Sequence, residues 1–437
     1  MKLSDATFRR PLIVRAYAII LLFPFLGCVG PAAPLRDDWI DPDTGHHVTR
    51  LSRVPGESES FYFHQNAFTA EGDKMVFATA DTNHSRDFYV LDWKTRAIER
   101  LTDGGTNRGE VVSAKGRRLY YMRDGEVFVA SLDSPPNQKS KIKNQKLIAR
   151  LPAGWRGLTV NADEKLLAGA FGEGAAEIAR GQPRSYWFKA IHDAKLPHVL
   201  FTIEIATGKT NVFHRGNDWF NHVQFSPTDP SLLMFCHEGP WHEVDRIWTI
   251  RVPQSSSSSS SIRRLMHRRT IPDEIAGHEF WSPDGKGIWF DLQVPRGEKF
   301  FLASTPVGDD VRRPHNSVDS STSEIDQSLL ASSPTINYEL PRDEWSVHFN
   351  ISRDGKLFAG DGGAPNMVAH AENGKWIYLF ASQPDGTLKA EKLVNMSKHD
   401  YALEPNVNFT PDGKWIVFRG NFDGSSQVYA VEVAKAK

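Results

Sequence analysis

Seven times along this chain an apolar residue and a small polar residue run into a tight turn, and an apolar strand leaves it. The copies are FTAEGDKMVFAT from Phe68, VSAKGRRLYYM from Val112, VNADEKLLAGA from Val160, FSPTDPSLLMFC from Phe225, WSPDGKGIWFD from Trp281, ISRDGKLFAGD from Ile351 and FTPDGKWIVFRG from Phe409. The turn is built from Pro, Asp or Gly, and where it is Asp-Gly it supplies the positive φ that hairpin turns demand, so each copy reads as strand, turn, strand. One such unit cannot bury its apolar face alone, whereas a recurring unit buries it against its neighbours. Successive copies start about 44 to 70 residues apart, at and above the roughly 40 to 50 of a four-stranded propeller blade. The excess reads as inserted loops. The repeat therefore predicts an all-β, seven-bladed β-propeller with four-stranded antiparallel blades, a single domain over residues 35–437. Ring closure predicts that the N-terminal HHVTRLS and the C-terminal QVYAVEV share a blade, which leaves no open sheet edge.

Residues 1–34 stand apart from the repeats. Arg9, Arg10 and Arg15 precede the apolar run AYAIILLFPFL and then GCVG, the order of an export signal. The FLGC ending resembles a bacterial lipoprotein box, in which Cys28 would be the lipidated residue that anchors the mature chain to a membrane. A plain secretory signal cut near Ala33 is the alternative. Either predicts an exported protein, in the periplasm or on the outer membrane. The chain has only Cys28 and Cys236, so no internal disulfide framework is expected and packing must hold the fold. Polar segments near 134–145, 254–262 and 308–330 are predicted to be flexible loops, and the basic run RRLMHRRT from Arg263 a solvated charged loop. A net charge of −1 and the absence of aromatic-basic interleaving exclude a nucleic-acid binder.

Propellers hold ligands where the loops entering each blade converge, and the residues just before each turn are placed for that. Here they are rich in histidine. The chain has His64, Gln65 and Asn66 before the first copy, His222 and Gln224 before the fourth, and His278 and Glu279 before the fifth. Glu344, His348 and Asn350 precede the sixth, and His399, Asp400, Tyr401, Glu404 and Asn406 the seventh. One such histidine would read as structural. Recurrence at the same blade offset predicts a central polar site.

The run VQFSPTDPSLLMFCHEGPWHEVDRIW, with HEFWSPDG, LFAGDGGAP and FTPDGKWIVF after it, resembles the oligogalacturonate lyases over residues 60–433. These are seven-bladed propellers that cut pectin-derived oligosaccharides by β-elimination. The resemblance implies an acidic oligosaccharide as substrate, His278 as catalytic base and Arg246 as the catalytic or carboxylate-binding cation. His237 and Glu238 in CHEGPW either line the same funnel or brace it, and His222, Glu279 and His64, placed by their offset, are expected around the sugar. The chemistry agrees: the C5 proton of a uronate needs a base near neutral pKa, and the enolate formed needs a cation. In the family a manganese ion is held by one histidine before the sixth repeat and by Q-x-x-H-x-H before the seventh. Here the first is kept as His348, while the other positions read Tyr401, Glu404 and Asn406. The set His348, Glu404 and Asn406 is thus predicted to hold a divalent metal, Mn2+ by resemblance, with Ca2+ or Mg2+ suited to its oxygen donors. The repeats also resemble periplasmic propellers such as the translocation protein TolB, which predicts a non-catalytic protein- or sugar-binding platform instead. The concentration of His, Arg and Glu at one end of the blades favours the enzyme. The sugar, its linkage and the oligomeric state stay open at this point.

Overall fold

The computed structural model describes residues 35–81, 85–133, 145–152, 156–253, 263–308, 336–369, 371 and 373–436. The predicted export segment, and all but the edge residues of the three predicted loops, lie outside these.

In chain order the strands are β1 (Asp38–Ile40) and β2 (His46–Arg50), then six blades of four. These are β3 to β6 (Glu57–Glu59, Lys74–Ala80, Arg86–Asp92, Ile98–Arg100), β7 to β10 (Arg108–Ser113, Arg118–Arg123, Glu126–Ser131, Gln145–Arg150) and β11 to β14 (Arg156–Val160, Leu166–Gly172, His198–Glu204, Thr210–Gly216). Next come β15 to β18 (Trp219–Phe225, Leu232–Glu238, Ile247–Arg251, Arg263–Leu265), β19 to β22 (Ile275–Trp281, Gly287–Gln293, Phe300–Pro306, Ile336–Leu340) and β23 to β26 (Phe349–Ile351, Leu357–Gly360, Trp376–Ser382, Leu388–Asn395). Blade 7 joins β27 (Asn408–Phe409), β28 (Trp415–Gly420) and β29 (Gln427–Lys435) to β2 and then β1. All seven repeat copies fall at the turn between the first and second strands of a blade.

The closing blade has five strands where the repeat predicts four, because β1 adds outside β2. Within it Val48 pairs with Val431 and Arg50 with Tyr429, so the two ends of the described chain share one sheet as the closure argument requires. Apolar faces pack between neighbouring sheets. Phe61, Phe77, Phe88 and Tyr121, for example, form one buried cluster across blades 1 and 2. The basic run from Arg263 is not a solvated loop: Arg263–Leu265 is the outer strand of blade 4, and His267, 4% exposed, meets Glu274 at 2.5 Å.

One backbone irregularity recurs on the first strands of blades 2 to 5. In each, the register advances three residues on the inner strand against two on its partner, a bulge with one extra residue: Arg108 to Val111, Arg156 to Thr159, Asn221 to Gln224 and Gly277 to Phe280. The second residue of each bulge has positive φ. It is Gly109 (64°) and Gly157 (70°) in blades 2 and 3, but His222 (47°) and His278 (47°) in blades 4 and 5. A side chain there costs about 1–2 kcal/mol of backbone strain. Two histidines accept a corner that two glycines occupy for free.

Candidate active site

Blade 1 supplies the centre because its inner strand breaks. After β3 the chain leaves the sheet, and a turn closed by the Gln65 amide on the Tyr62 carbonyl (2.8 Å) carries Tyr62, Phe63 and His64 inward. Phe63 stacks on the His348 ring (centroids 4.7 Å apart, 26°) and meets His278 edge-on at 6.0 Å. Tyr62 touches His64 (5.0 Å), His348 (5.2 Å) and His222 (5.7 Å). The His278 and His348 rings are 4.6 Å apart. Four of the five histidines predicted before the turns, His64, His222, His278 and His348, are thus brought together around two aromatic residues that the sequence reading did not single out.

The amides at the same offset do a different job. Asn66 Nδ2 donates to the Val112 carbonyl (2.8 Å), Gln224 Nε2 to the Glu279 carbonyl (2.7 Å), and Asn350 Nδ2 to the Phe63 carbonyl (2.9 Å). They tie the inner strand of one blade to its neighbours, satisfying backbone groups that the ring would otherwise orphan. His399, 1% exposed, is likewise structural, with Nε2 on the Leu403 carbonyl at 2.6 Å.

His278 has Nδ1 2.9 Å from the Asp291 carboxylate, which is 1% exposed. An ionised carboxylate only accepts, so Nδ1 carries the proton and Nε2 is the basic nitrogen. Gly277 permits the approach of Trp241, whose ring would lie 2.6 Å from a Cβ there. Trp241 lies 5.0 Å from the His278 ring and 4.3 Å under the Arg246 guanidinium. Arg246, 3% exposed, forms a short ion pair with Glu238, which also faces His222 Nε2 (3.2 Å) and Asn221 Nδ2 (3.3 Å). Burial alone would raise the Glu238 pKa, but Arg246 and His222 outweigh it and hold the carboxyl well below its usual range. Glu279, 2% exposed, has neither carboxylate oxygen hydrogen-bonded, while Arg246 and the Cys236 thiol act on it from nearby. His64 is held neutral: burial, then the charges of His222 and His348, push its pKa well below the usual value.

His237 stands elsewhere. It stacks on Trp248 (4.7 Å, 23°) and touches Phe220 (5.5 Å), on the face of β16 opposite Glu238, and burial pulls its pKa down to about 4. Adjacent strand residues point to opposite faces, so His237 and Glu238 could not both join Arg246.

His348, fully buried, gives Nδ1 to Asp361 Oδ2 (2.8 Å). Its Nε2 is buried without a hydrogen-bond partner and lies 3.8 Å from Glu404 Oε2. Burial opposes the imidazolium, yet Asp361 outweighs it and raises the His348 pKa. The orphaned imidazole nitrogen and the facing carboxylate suit a divalent ion that completes its shell with water and substrate. Asn406 is otherwise engaged: its Oδ1 accepts from the Phe63 amide (3.4 Å) and its Nδ2 donates to the Glu404 carbonyl (3.0 Å). Tyr401 donates its hydroxyl to the Asp361 carbonyl (3.0 Å). The donor pair that fits a metal is therefore His348 and Glu404.

A family model described as oligogalacturonate lyase matches residues 36–437. The oligogalacturonate lyase of Dickeya dadantii (strain 3937) is 27% identical over 419 residues, covering 90% of this chain and 95% of its own. The oligogalacturonide lyase of Pectobacterium atrosepticum is 26% identical over 423 residues, with the same coverage. Among solved structures, an oligogalacturonate lyase in complex with manganese superposes with a TM-score of 0.71 at 24% identity, covering 93% of this chain and 98% of its own. The oligogalacturonate lyase of Vibrio parahaemolyticus gives 0.70 at 23%, covering 91% and 96%. These two share the propeller fold described above, and with the family model spanning the whole ring, the chain belongs to the oligogalacturonate lyase family.

Proposed function

We propose that the protein is a polysaccharide lyase that cleaves uronic-acid-containing oligosaccharides, oligogalacturonides or a related acidic glycan, by β-elimination. The observation that carries this reading is the His278–Asp291 pair, which fixes the proton on Nδ1 and leaves Nε2 as a base among the other site histidines. In this reading His278 Nε2 takes the C5 proton, the C4–O bond then breaks, and the leaving oxygen gains a proton from the imidazolium or from water, giving a 4,5-unsaturated uronate and a shorter sugar. Arg246, held by Glu238 and Trp241, offsets the negative charge that grows on the uronate carboxylate as the enolate forms. The neutral, half-buried His64 and the phenol of Tyr62 border the reacting ring and limit water. His348 and Glu404 would hold a divalent ion, which when bound supplies Lewis-acid stabilisation of the same carboxylate. In this reading the export signal expected from residues 1–34 would carry the activity outside the cytoplasm.

The test is incubation with oligogalacturonides, with and without a chelator, following the ultraviolet absorbance of the unsaturated product. Absorbance that rises with wild type and stays flat with His278→Ala supports the reading. No product from any acidic oligosaccharide, with divalent metal supplied, overturns it.

A further inference from the structure

Blade 3 departs from the others between β12 and β13. Where a hairpin would suffice, residues 173–197 carry two helices, α1 (Ala175–Ala179) and α2 (Arg184–Asp193). The insert is docked against the active-site loop of blade 4. The His192 ring fills the space beside Gly239, where a Cβ would come within 2.5 Å of it, and Lys189 bridges Asp193 (3.1 Å) and Glu243 (3.6 Å). His192, Asp193 and Glu243 have the spacing of a metal group, but the Lys189 ammonium already balances their charge.

Between this insert and blade 4 lies a cavity of about 920 Å³. Tyr62, His64 and His222 line it together with Trp187, Ile191 and Trp219. This is oligosaccharide-sized. Ile191, 3% exposed, anchors α2, whereas Trp187 and Trp219 are only half-buried, with ring centroids 5.9 Å apart. Phe188 packs against both (6.0 and 5.3 Å), and the indole surface that remains partly exposed, in a cavity next to a sugar site, suits the C–H face of a pyranose. Gln65, Asn221 and His198 supply polar edges. The charge of the wall is the discriminating feature. Among the described residues lining it are Glu173 and Glu177, and no lysine or arginine. A second uronate carboxylate there would meet two glutamates and no lysine or arginine, and burial disfavours the charged forms of His64 and His198 in the same wall.

We propose that this cavity is a subsite for an uncharged pyranose ring, adjoining the uronate that is cleaved, with Trp187 and Trp219 as its platform. The proposal rests on the β-elimination reading above. The uncharged ring is a neutral sugar residue or a methyl-esterified uronate.

The experiment compares three ligands on the full chain: an oligogalacturonide, its methyl-esterified form, and an oligosaccharide alternating galacturonate with a neutral sugar. One of the latter two should have the higher kcat/KM, and which one identifies the ring. Trp187→Ala should raise KM for that substrate by roughly 3- to 10-fold, with kcat changed by less than about twofold. Trp187→Tyr should recover most of the loss, with the melting temperature of both variants near wild type. Preference for the fully acidic ligand, with KM unchanged in Trp187→Ala, overturns the proposal. Binding is read without turnover by tryptophan fluorescence titration of the same ligands into His278→Ala. Quenching by an uncharged-ring ligand that is lost in His278→Ala/Trp187→Ala supports the subsite even if no substrate is cleaved, in which case the lyase reading alone fails. Equal binding by both variants sinks the subsite.

Discussion

The imidazoles of His278 and His348 meet edge to face, 71° apart in plane, and each turns Nδ1 to an aspartate 13 residues further along. Asp291 and Asp361 lie at this same spacing across the first hairpins of neighbouring blades, so two blades present the same His–Asp pair to one centre. The pairs differ in what faces Nε2. His348 has Glu404, whereas His278 faces the site with Trp241 at its flank.

If His278 Nε2 is the base, His278→Ala should lower kcat by about 10²- to 10⁴-fold. Asp291→Asn should also lower kcat, because an amide can hold the wrong tautomer, while KM moves little. Steady-state kinetics on an oligogalacturonide check both. Near-wild-type kcat in His278→Ala would remove it from the mechanism.

The bulge geometry makes an unusual forecast for His222. His222→Gly relieves about 1–2 kcal/mol of positive-φ strain, and Glu238 keeps its Arg246 partner. Thermal melting should therefore be unchanged or higher, with activity reduced. A clear fall in melting temperature would mean that the His222–Glu238 contact outweighs the strain.

Glu238→Gln should be costly in another way. It strips a buried Arg246 of its hydrogen-bonded counter-charge and leaves only Glu279 nearby, a loss of up to about 3–5 kcal/mol in comparable pairs. The folded pKa of Glu238 lies below the usual 4.5, so its stabilisation is complete above that pH and is lost as pH falls toward the folded value. Denaturant titrations below pH 4.5 should show a shallower acid loss in the variant than in wild type.

His237 offers a contrast in the neighbouring pH range. Its folded pKa of about 4 lies below the usual 6.5, so the unfolded chain takes up its proton first, and stability falls as pH drops from 6.5 to about 4. His237→Phe should flatten that segment, by at most about 3 kcal/mol, and leave kcat intact. A large kcat loss would bring His237 back into the site.

Metal binding can be measured apart from turnover. Calorimetric titration with Mn2+ should give one site, weakened at least about tenfold in Glu404→Ala, while Asn406→Ala changes it little because that amide serves Phe63 and Glu404 backbone groups. Equal weakening by both would restore Asn406 as a ligand.

The ring was legible because turn chemistry is local: a Gly, Asp or Pro turn signal sits at every first hairpin whatever the blade packs against, with Asp-Gly itself in blades 5 to 7. The site histidines were legible because they share an offset from those turns. Their aspartates were not, since Asp291 and Asp361 lie within or at the end of apolar strands and reach the histidines only through hairpin pairing. The 13-residue spacing was the available signal. Tyr62 and Phe63 escaped notice because their position depends on β3 ending early, which no residue pattern in FYFHQNAF announces. Reading His237 and Glu238 as joint lining overlooked strand alternation, and Asn406 was read from its donor atoms without the backbone groups that compete for them.

The positive-φ corner on the inner strands has a consequence for how such a protein acquires new chemistry. Blades 2 and 3 keep Gly109 and Gly157 where blades 4 and 5 carry histidines. The backbone is already bent to accept a side chain at each, so one codon change could furnish another functional group without remodelling a loop. Divergence within such a ring can proceed by filling or emptying a few equivalent sockets, and the loss of ligands in one blade need not end catalysis if a neighbour's socket is filled.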